Sequence, residues 1–414
     1  AEEAQEIPVD MSLMGFKAIR EAIEQENELG SKAGLTINGT EGEGQNIDTP
    51  QPSEEGRNPE TPVTEPSKEL ETSDASTPAN GTKNPAKQFR SYYARILFFA
   101  FMTKDVVISL SDIIACINET NNMRIAYNIG IKRLTLESIQ IHADKFMLRA
   151  LDYKIQNLNQ LSHDNSLEGV NRAAVAIQKF GKLGESEVIT PRNICNNMVG
   201  LIPEDGLKTI LINRHKILDI AGKAGEFTLA LCDRYGKMGY TNESLRNVIY
   251  TIPTSGLTYE FTRMIYGILG LDTNCIATKF TSYNLLNIKK SGMQEIDYDK
   301  IRLLLSQNKP FSEIKMTDEV TEGDEKVKFD VVVGNPPYQE GDGGAQKSAR
   351  PIYQHFIECS KNLSTKYMTA IIPSRWYAGG KGLDEFRHEM LNDIHIQELD
   401  DFIHPEEVFP DTNN

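Results

Sequence analysis

The residues best placed to do chemistry are Asn335-Pro336-Pro337-Tyr338, which follow the apolar run Val331-Val332-Val333-Gly334 without a break. The run reads as a buried strand. Two consecutive prolines can neither continue its ladder nor enter a helix interior. They hold a short, stiff, extended loop at the strand's carboxyl end, where open α/β sheets bind ligands. The loop offers an amide side chain, a main-chain carbonyl at Pro336 and an aromatic ring. Those are the parts needed to grip a planar ring that carries an exocyclic amine. On spacing alone, a strand followed by an ordinary proline-rich turn fits equally well.

A second segment lies upstream, Leu218-Asp219-Ile220-Ala221-Gly222-Lys223-Ala224-Gly225-Glu226-Phe227. A strand, an Asp, two glycines and then a helix let a small molecule approach the backbone closely. It has neither GxGxxG nor the Gly-Lys-Ser/Thr of a phosphate loop. Its value is position, because it opens the same alternation of elements that ends in the Asn-Pro-Pro-Tyr loop. An Asp at a strand end also caps the following helix in many proteins, so Asp219 has a purely structural reading too.

These residues must be positioned by the region from 186 onward, where short apolar runs alternate with helical patterns. Strands are expected at 215–221, 247–253, 275–280, 329–334, 367–372 and 396–402. Helices are expected at about 225–236, 257–270, 297–306, 351–363 and 382–392. Such alternation implies a doubly wound parallel sheet. Segment 307–328, rich in Lys, Glu and Asp, reads as a solvated insertion. Residues 89–185 read as a mainly helical region, with Arg95–Phe101 open to either a strand or a helix. Residues 29–88 hold Gly, Ser, Thr, Pro, Asn and Glu with few large apolar side chains, and are expected to be a disordered acidic linker. Residues 1–28 include a short amphipathic pattern (Met14, Ile19, Ile23) with no readable function.

The chain of 414 residues has a formal net charge of −15, but eighteen of its 59 acids and only five of its 44 bases fall in residues 1–82. The remainder is close to neutral, so the overall charge neither excludes nor supports nucleic acid as a partner. Five scattered cysteines form no CxxC pair and read as buried thiols of a cytoplasmic protein, not as a zinc site or a disulfide framework. No apolar run approaches the length of a membrane span. No metal site is expected.

Together these segments resemble the S-adenosylmethionine-dependent methyltransferases. Most closely they resemble the N6-adenine DNA methyltransferases of gamma motif order, in the large type IIG-like restriction–modification family. Glu187-Val188-Ile189-Thr190-Pro191-Arg192 looks like that family's leading cofactor motif. Pro351-Ile352-Tyr353, Ile371-Ile372-Pro373-Ser374-Arg375-Trp376 and Gly379-Gly380-Lys381-Gly382 look like its downstream blocks. The resemblance implies a Rossmann-like methyltransferase sheet over 186–414, preceded by the helical region. It also implies transfer of a methyl group from S-adenosylmethionine to the N6 amine of an adenine flipped out of double-stranded DNA. Asn335, Pro336, Pro337 and Tyr338 would be catalytic. Thr190, Asp219, Ala221, Gly225 and Asn284 would bind the cofactor, and Phe409 would stack on the base.

Three departures stand out. Ile220 and Lys223 replace a proline and a glycine of the family's first motif. The strand ending Thr251-Ile252-Pro253 lacks a ribose-binding acid, with Glu260 following on a helix. Asn284 stands where an Asp is usual. Lys223 either crowds the cofactor or pairs with its carboxylate. Trp376, the sole tryptophan, reads as packing ahead of lining a DNA cleft. The resemblance also implies a further strand and a target-recognition domain beyond the residues at hand. Rival readings are a methyltransferase for a protein glutamine or rRNA guanine amine, and a non-catalytic DNA-binding or assembly module.

Overall fold

The computed structural model describes residues 85–409, apart from 167, 181–182, 184–186, 322, 324–326 and 341–349. The expectations for residues 1–28 and 29–84 lie outside the described residues. The first helix, α1, spans Pro85–Met102 and so begins four residues before the expected boundary. It also settles Arg95–Phe101 as helix. Five more helices complete the expected helical region: α2 (Leu110–Cys116), α3 (Thr120–Ile129), α4 (Arg133–His142), α5 (Lys145–His163) and α6 (Gly169–Phe180). Two short helices, α7 (Arg192–Gly200) and α8 (Glu204–Asn213), lead into the sheet.

Four parallel strands follow: β1 (Lys216–Gly222), β2 (Ile249–Pro253), β3 (Phe329–Gly334) and β4 (Ser364–Ala370). Between and after them lie α9 (Glu226–Lys237), α10 (Gly256–Leu269), α11 (Ser282–Leu285), α12 (Tyr298–Leu305), α13 (Tyr353–Leu363) and α14 (Asp384–Asn392). The strand order is β2-β1-β3-β4. The chain therefore reverses its direction of progress between β1 and β3. At such a switch point the loops at the carboxyl ends diverge and leave a crevice. Asp219–Gly225 leaves β1 there and Asn335–Tyr338 leaves β3 there.

Side-chain alternation sends successive residues to opposite faces of the sheet. Ile217, Ile249, Val331 and Val333 join one core, which runs without interruption into the helical region. Leu218, Ile220, Ile252 and Val332 join a second core under α12 and α13, as does Phe329, beyond a register shift between Phe329 and Val331. The helical region is thus not a separate packing unit but the cover of one sheet face. Phe101, Phe180 and Phe261 bring α1, α6 and α10 together, with ring centroids 5.1–5.4 Å apart. No described helix is long and apolar enough to cross a membrane.

Two expected strands do not form. Residues 275–280 make one parallel bridge, Ile276 to Thr251, and then turn away. Thr278 and Lys279 are exposed, so the buried run Cys275–Ala277 that could stay against β2 is cut short after Ala277. Residues 396–402 pair with nothing described and are exposed, Leu399 at 57%. Scattered apolar residues, here Ile396, Leu399 and Phe402, are not enough for a strand without a neighbouring edge to bond. Insertion 307–328 is only partly solvated: Phe311 and Ile314 are fully buried, and the Phe311 ring packs on Tyr250, Phe280 and Phe329.

Candidate functional site

β1 carries Asp219 into the crevice. Its side chain is fully buried. Oδ1 accepts the N–H of Ala221 at 3.2 Å, while Oδ2 has no hydrogen-bond partner among the described residues. A buried carboxylate oxygen left unpaired is costly, and such groups mark places where a ligand or proton completes the bonding. Burial pushes this carboxyl well above the usual range, and the nearby Glu226 pushes it further. The backbone beside it needs its glycines. A Cβ on Gly222 would stand 2.3 Å from Thr251 Cγ2, and Gly225 has φ +73° at the start of α9. The positive φ is a conformation that side chains disfavour. It makes the turn from the glycine loop into α9.

Lys223 folds inward and is 5% exposed. Burial lowers its pKa, opposed by the negative fields of Glu226, Asp219 and Glu187. The ammonium therefore sits in an acidic enclosure rather than reaching solvent. Glu226 was not expected as a site residue. It is 4% exposed; Oε2 accepts the N–H of Ala224 at 2.8 Å and Oε1 the N–H of Thr190 at 3.4 Å. In sequence it is only an acid in a helix's first turn, the ordinary complement of the helix dipole. No signal distinguishes it from a surface residue. Glu187 lies on the same rim, accepting the Thr254 hydroxyl at 3.2 Å.

β3 carries the second half. Asn335 is 2% exposed and Pro336 and Pro337 are buried. The Asn335 Nδ2 donates to Thr190 Oγ1 at 3.1 Å, while Oδ1 is buried with no partner among the described residues. Thr190, 1% exposed, is held in turn: its N–H goes to Glu226 and its carbonyl accepts the Cys195 thiol at 3.5 Å. Thr190, Asp219, Ala221, Gly225 and Asn335 are thus brought together around the carboxyl ends of β1 and β3. The half-buried Tyr338 packs beside Tyr353, Ile357 and Trp376, and burial raises the pKa of its hydroxyl. Trp376 and Tyr353 are core residues, as expected, with Trp376 4% exposed.

The remaining expected residues, Asn284 and Phe409, are held by contacts outside this hydrogen-bonded cluster. Asn284 sits on α11 and lines a groove of about 390 Å³ with Asn287, Lys289 and Lys300. Its Oδ1 already accepts the N–H and hydroxyl of Thr281 in a capping box. Phe409 is half-buried against the core that also takes Tyr367 and Ile371, not the cluster around Tyr338. Glu260 is buried on α10, where it ion-pairs with Arg124 and accepts from Asn128 at 2.6 Å. It ties α3 to α10 and is spoken for. All five cysteines are buried and free. No metal-binding cluster occurs among the described residues.

The donor set suits a compact cationic cofactor. The crevice has acidic side chains in excess of its one lysine, glycines that admit close approach, and an unpaired carboxylate oxygen that wants a donor. Asn335 supplies a separate acceptor for a neutral amine.

Residues 247–409, which carry β2, β3, β4 and the Asn-Pro-Pro-Tyr loop, match the Eco57I restriction-modification methylase family. A stretch of 87 residues is 33% identical to an uncharacterized adenine-specific methylase of Mycoplasma pneumoniae, covering 20% of this chain and 21% of that protein. The chain therefore matches about a fifth of the length of this curated relative. Both matched descriptions name a methylase, and the family's names the restriction–modification kind. Among solved structures, the DrdV–DNA complex is 15% identical at TM-score 0.41, covering 75% of this chain and 32% of that one. A putative class I S-adenosylmethionine-dependent methyltransferase from Listeria monocytogenes is 12% identical at TM-score 0.32, covering 71% and 78%. A modification subunit of a putative type I restriction enzyme from Vibrio vulnificus is 15% identical at TM-score 0.32, covering 62% and 50%.

Proposed function

We propose that this chain transfers a methyl group from S-adenosylmethionine to the N6 amine of an adenine flipped out of double-stranded DNA. The observation that carries the reading is Asn335 Oδ1: buried, without a partner among the described residues, and borne on a proline-locked loop beside the β1 crevice. Bound S-adenosylmethionine supplies an electrophilic methyl group. Asp219, Ala221, Lys223 and Gly225 would hold it, the lysine facing its carboxylate and Asp219 Oδ2 its ammonium.

An adenine amine is a poor nucleophile because its lone pair is delocalised into the ring. Asn335 Oδ1 and the Pro336 carbonyl would accept its two hydrogens. That draws the lone pair out of conjugation and points it across the crevice. No charged intermediate on the protein is needed, because orientation and fixed dipoles carry the rate. Unstacking the base costs a few kcal/mol, and stacking on the Tyr338 ring returns roughly 1–3 kcal/mol. The sequence matches favour DNA over the protein and rRNA acceptors.

The test is tritiated methyl transfer from S-adenosylmethionine to unmethylated plasmid DNA, with ribosomal RNA and a glutamine-bearing protein as alternative acceptors. Label in DNA, recovered as N6-methyladenine, is the expected result. Label only in RNA or protein, or none in any acceptor, overturns the reading.

A further inference from the structure

An asparagine amide can be seated in two orientations of nearly identical shape. With Oδ1 outward Asn335 accepts from an amine; with Nδ2 outward it opposes one donor with another. Packing hardly distinguishes the two, and a hydroxyl partner, which both donates and accepts, can serve either; what such a partner fixes is where the amide sits. The inner end of the Asn335 amide has one hydrogen-bond partner among the described residues, the Thr190 hydroxyl at 3.1 Å, across 145 positions of sequence. That hydroxyl is itself anchored. The Thr190 backbone is fixed at both its N–H, by Glu226, and its carbonyl, by Cys195. Glu226 also holds Ala224, inside the glycine loop. A continuous chain of contacts therefore runs from the loop after β1, through Glu226 and Thr190, to the amide after β3.

We propose that Thr190 is a positioning residue for Asn335. Its hydroxyl accepts from Nδ2 and so holds the Asn335 side chain in place at the crevice, with Oδ1 left free for the substrate amine, while Glu226 sets the position of Thr190. The assignment rests on the reading of the site as an amine methyltransferase. It gives Thr190 a task different from the cofactor contact that its motif suggests, and the two tasks separate kinetically. A contact to cofactor appears in cofactor binding, whereas an amide positioner appears in kcat at saturating cofactor.

The experiment uses unmethylated plasmid DNA and tritiated S-adenosylmethionine with five proteins: wild type, Thr190→Val, Thr190→Ser, Asn335→Ala and the Thr190→Val/Asn335→Ala double variant. Valine keeps the shape and removes the acceptor. Thr190→Val should lower kcat roughly tenfold, as for loss of one buried hydrogen bond at the reacting group. Its cofactor dissociation constant by calorimetry should stay within about threefold of wild type, and Thr190→Ser should restore most of the rate. In the Asn335→Ala background Thr190→Val should change nothing further, because the group it positions is gone.

If Thr190→Val instead weakens cofactor binding and leaves kcat intact, or if its effect persists in the Asn335→Ala background, the positioning role is overturned. If Asn335→Ala itself turns over like wild type, the methyltransferase reading of the site fails first. Should Thr190→Val not fold, Thr190→Ala removes the same acceptor and is judged by the same outcomes.

Discussion

Gly222 ends β1 at the lip of the crevice, and replacing it by alanine should be among the more damaging single changes in the sheet. The added Cβ would stand 2.3 Å from Thr251 Cγ2 on the neighbouring strand and 3.0 Å from Asp219 Oδ2. Thr251 cannot yield freely. Its hydroxyl is bonded to the Tyr266 hydroxyl at 2.8 Å, and Tyr266 donates to the Ile249 carbonyl at 3.2 Å. Either Thr251 rotates and gives up its bond, worth about 0.5–1.5 kcal/mol, or the strands part, at an overpacking cost of about 1–3 kcal/mol. Some of each gives a loss of roughly 2–4 kcal/mol. Urea unfolding of Gly222→Ala measures it. The clash is with one methyl group, so Thr251→Ser, which keeps the hydroxyl, should relieve it. The double variant should be more stable than Gly222→Ala alone, even though the lost methyl costs about 0.8 kcal/mol in the wild-type background. A Gly222→Ala protein within about 0.5 kcal/mol of wild type, the range of innocuous substitutions, or a double variant no more stable than the single, refutes the argument.

Burial pushes the Asp330 carboxyl up, but hydrogen bonds from Thr365, His215 and Lys366 outweigh it and hold the group below its usual range. The stability it contributes is therefore complete above the unfolded-state value near about pH 4 and is lost as pH falls through the lower folded value. Urea midpoints taken down the acid limb should drop steeply for wild type and less so for Asp330→Asn. Asp219 runs the other way. Its raised pKa means that folding stability declines as pH rises between the unfolded and folded values, so Asp219→Asn should raise the urea midpoint at neutral pH while weakening S-adenosylmethionine in calorimetry. Glu260→Ala should cost about 1–3 kcal/mol through loss of its pairing with the partly exposed Arg124, yet leave cofactor affinity unchanged; a fall in affinity would return Glu260 to the binding site.

The parts of the fold readable in the sequence are those where one strong local cause acts alone. Val331–Val333 is apolar on both faces and ends at two prolines, and β3 stops at Gly334 as those residues require. β1 and its glycine turn are legible for the same reason. Segment 396–402 carries apolar residues at 396, 399 and 402 but meets no edge among the described residues, and no single stretch of sequence reveals whether a partner exists. Segment 275–280 keeps a single bridge because its fourth and fifth residues, Thr278 and Lys279, are polar and exposed. At the candidate site the sequence offers residue types and motifs but not the relations between them. Thr190 and Asn335 each carry a motif, but the bond between them spans 145 positions. Glu226 carries no motif, since an acid in a helix's first turn is expected whether or not it braces a neighbouring loop. Glu260 shows the converse: a carboxylate near the right strand, committed to Arg124 by a tertiary contact that the sequence does not disclose.

The central claim is that Asn335 presents a buried, unpaired oxygen to a substrate amine. It is tested most directly by methyl transfer to unmethylated DNA with wild type and Asn335→Ala, both saturated with S-adenosylmethionine as verified by calorimetry. The account predicts that wild type forms N6-methyladenine, and that Asn335→Ala binds cofactor normally but is slower by at least about a hundredfold, the scale set by loss of one preorganised acceptor at a reacting group. Turnover by Asn335→Ala within a few-fold of wild type would contradict it.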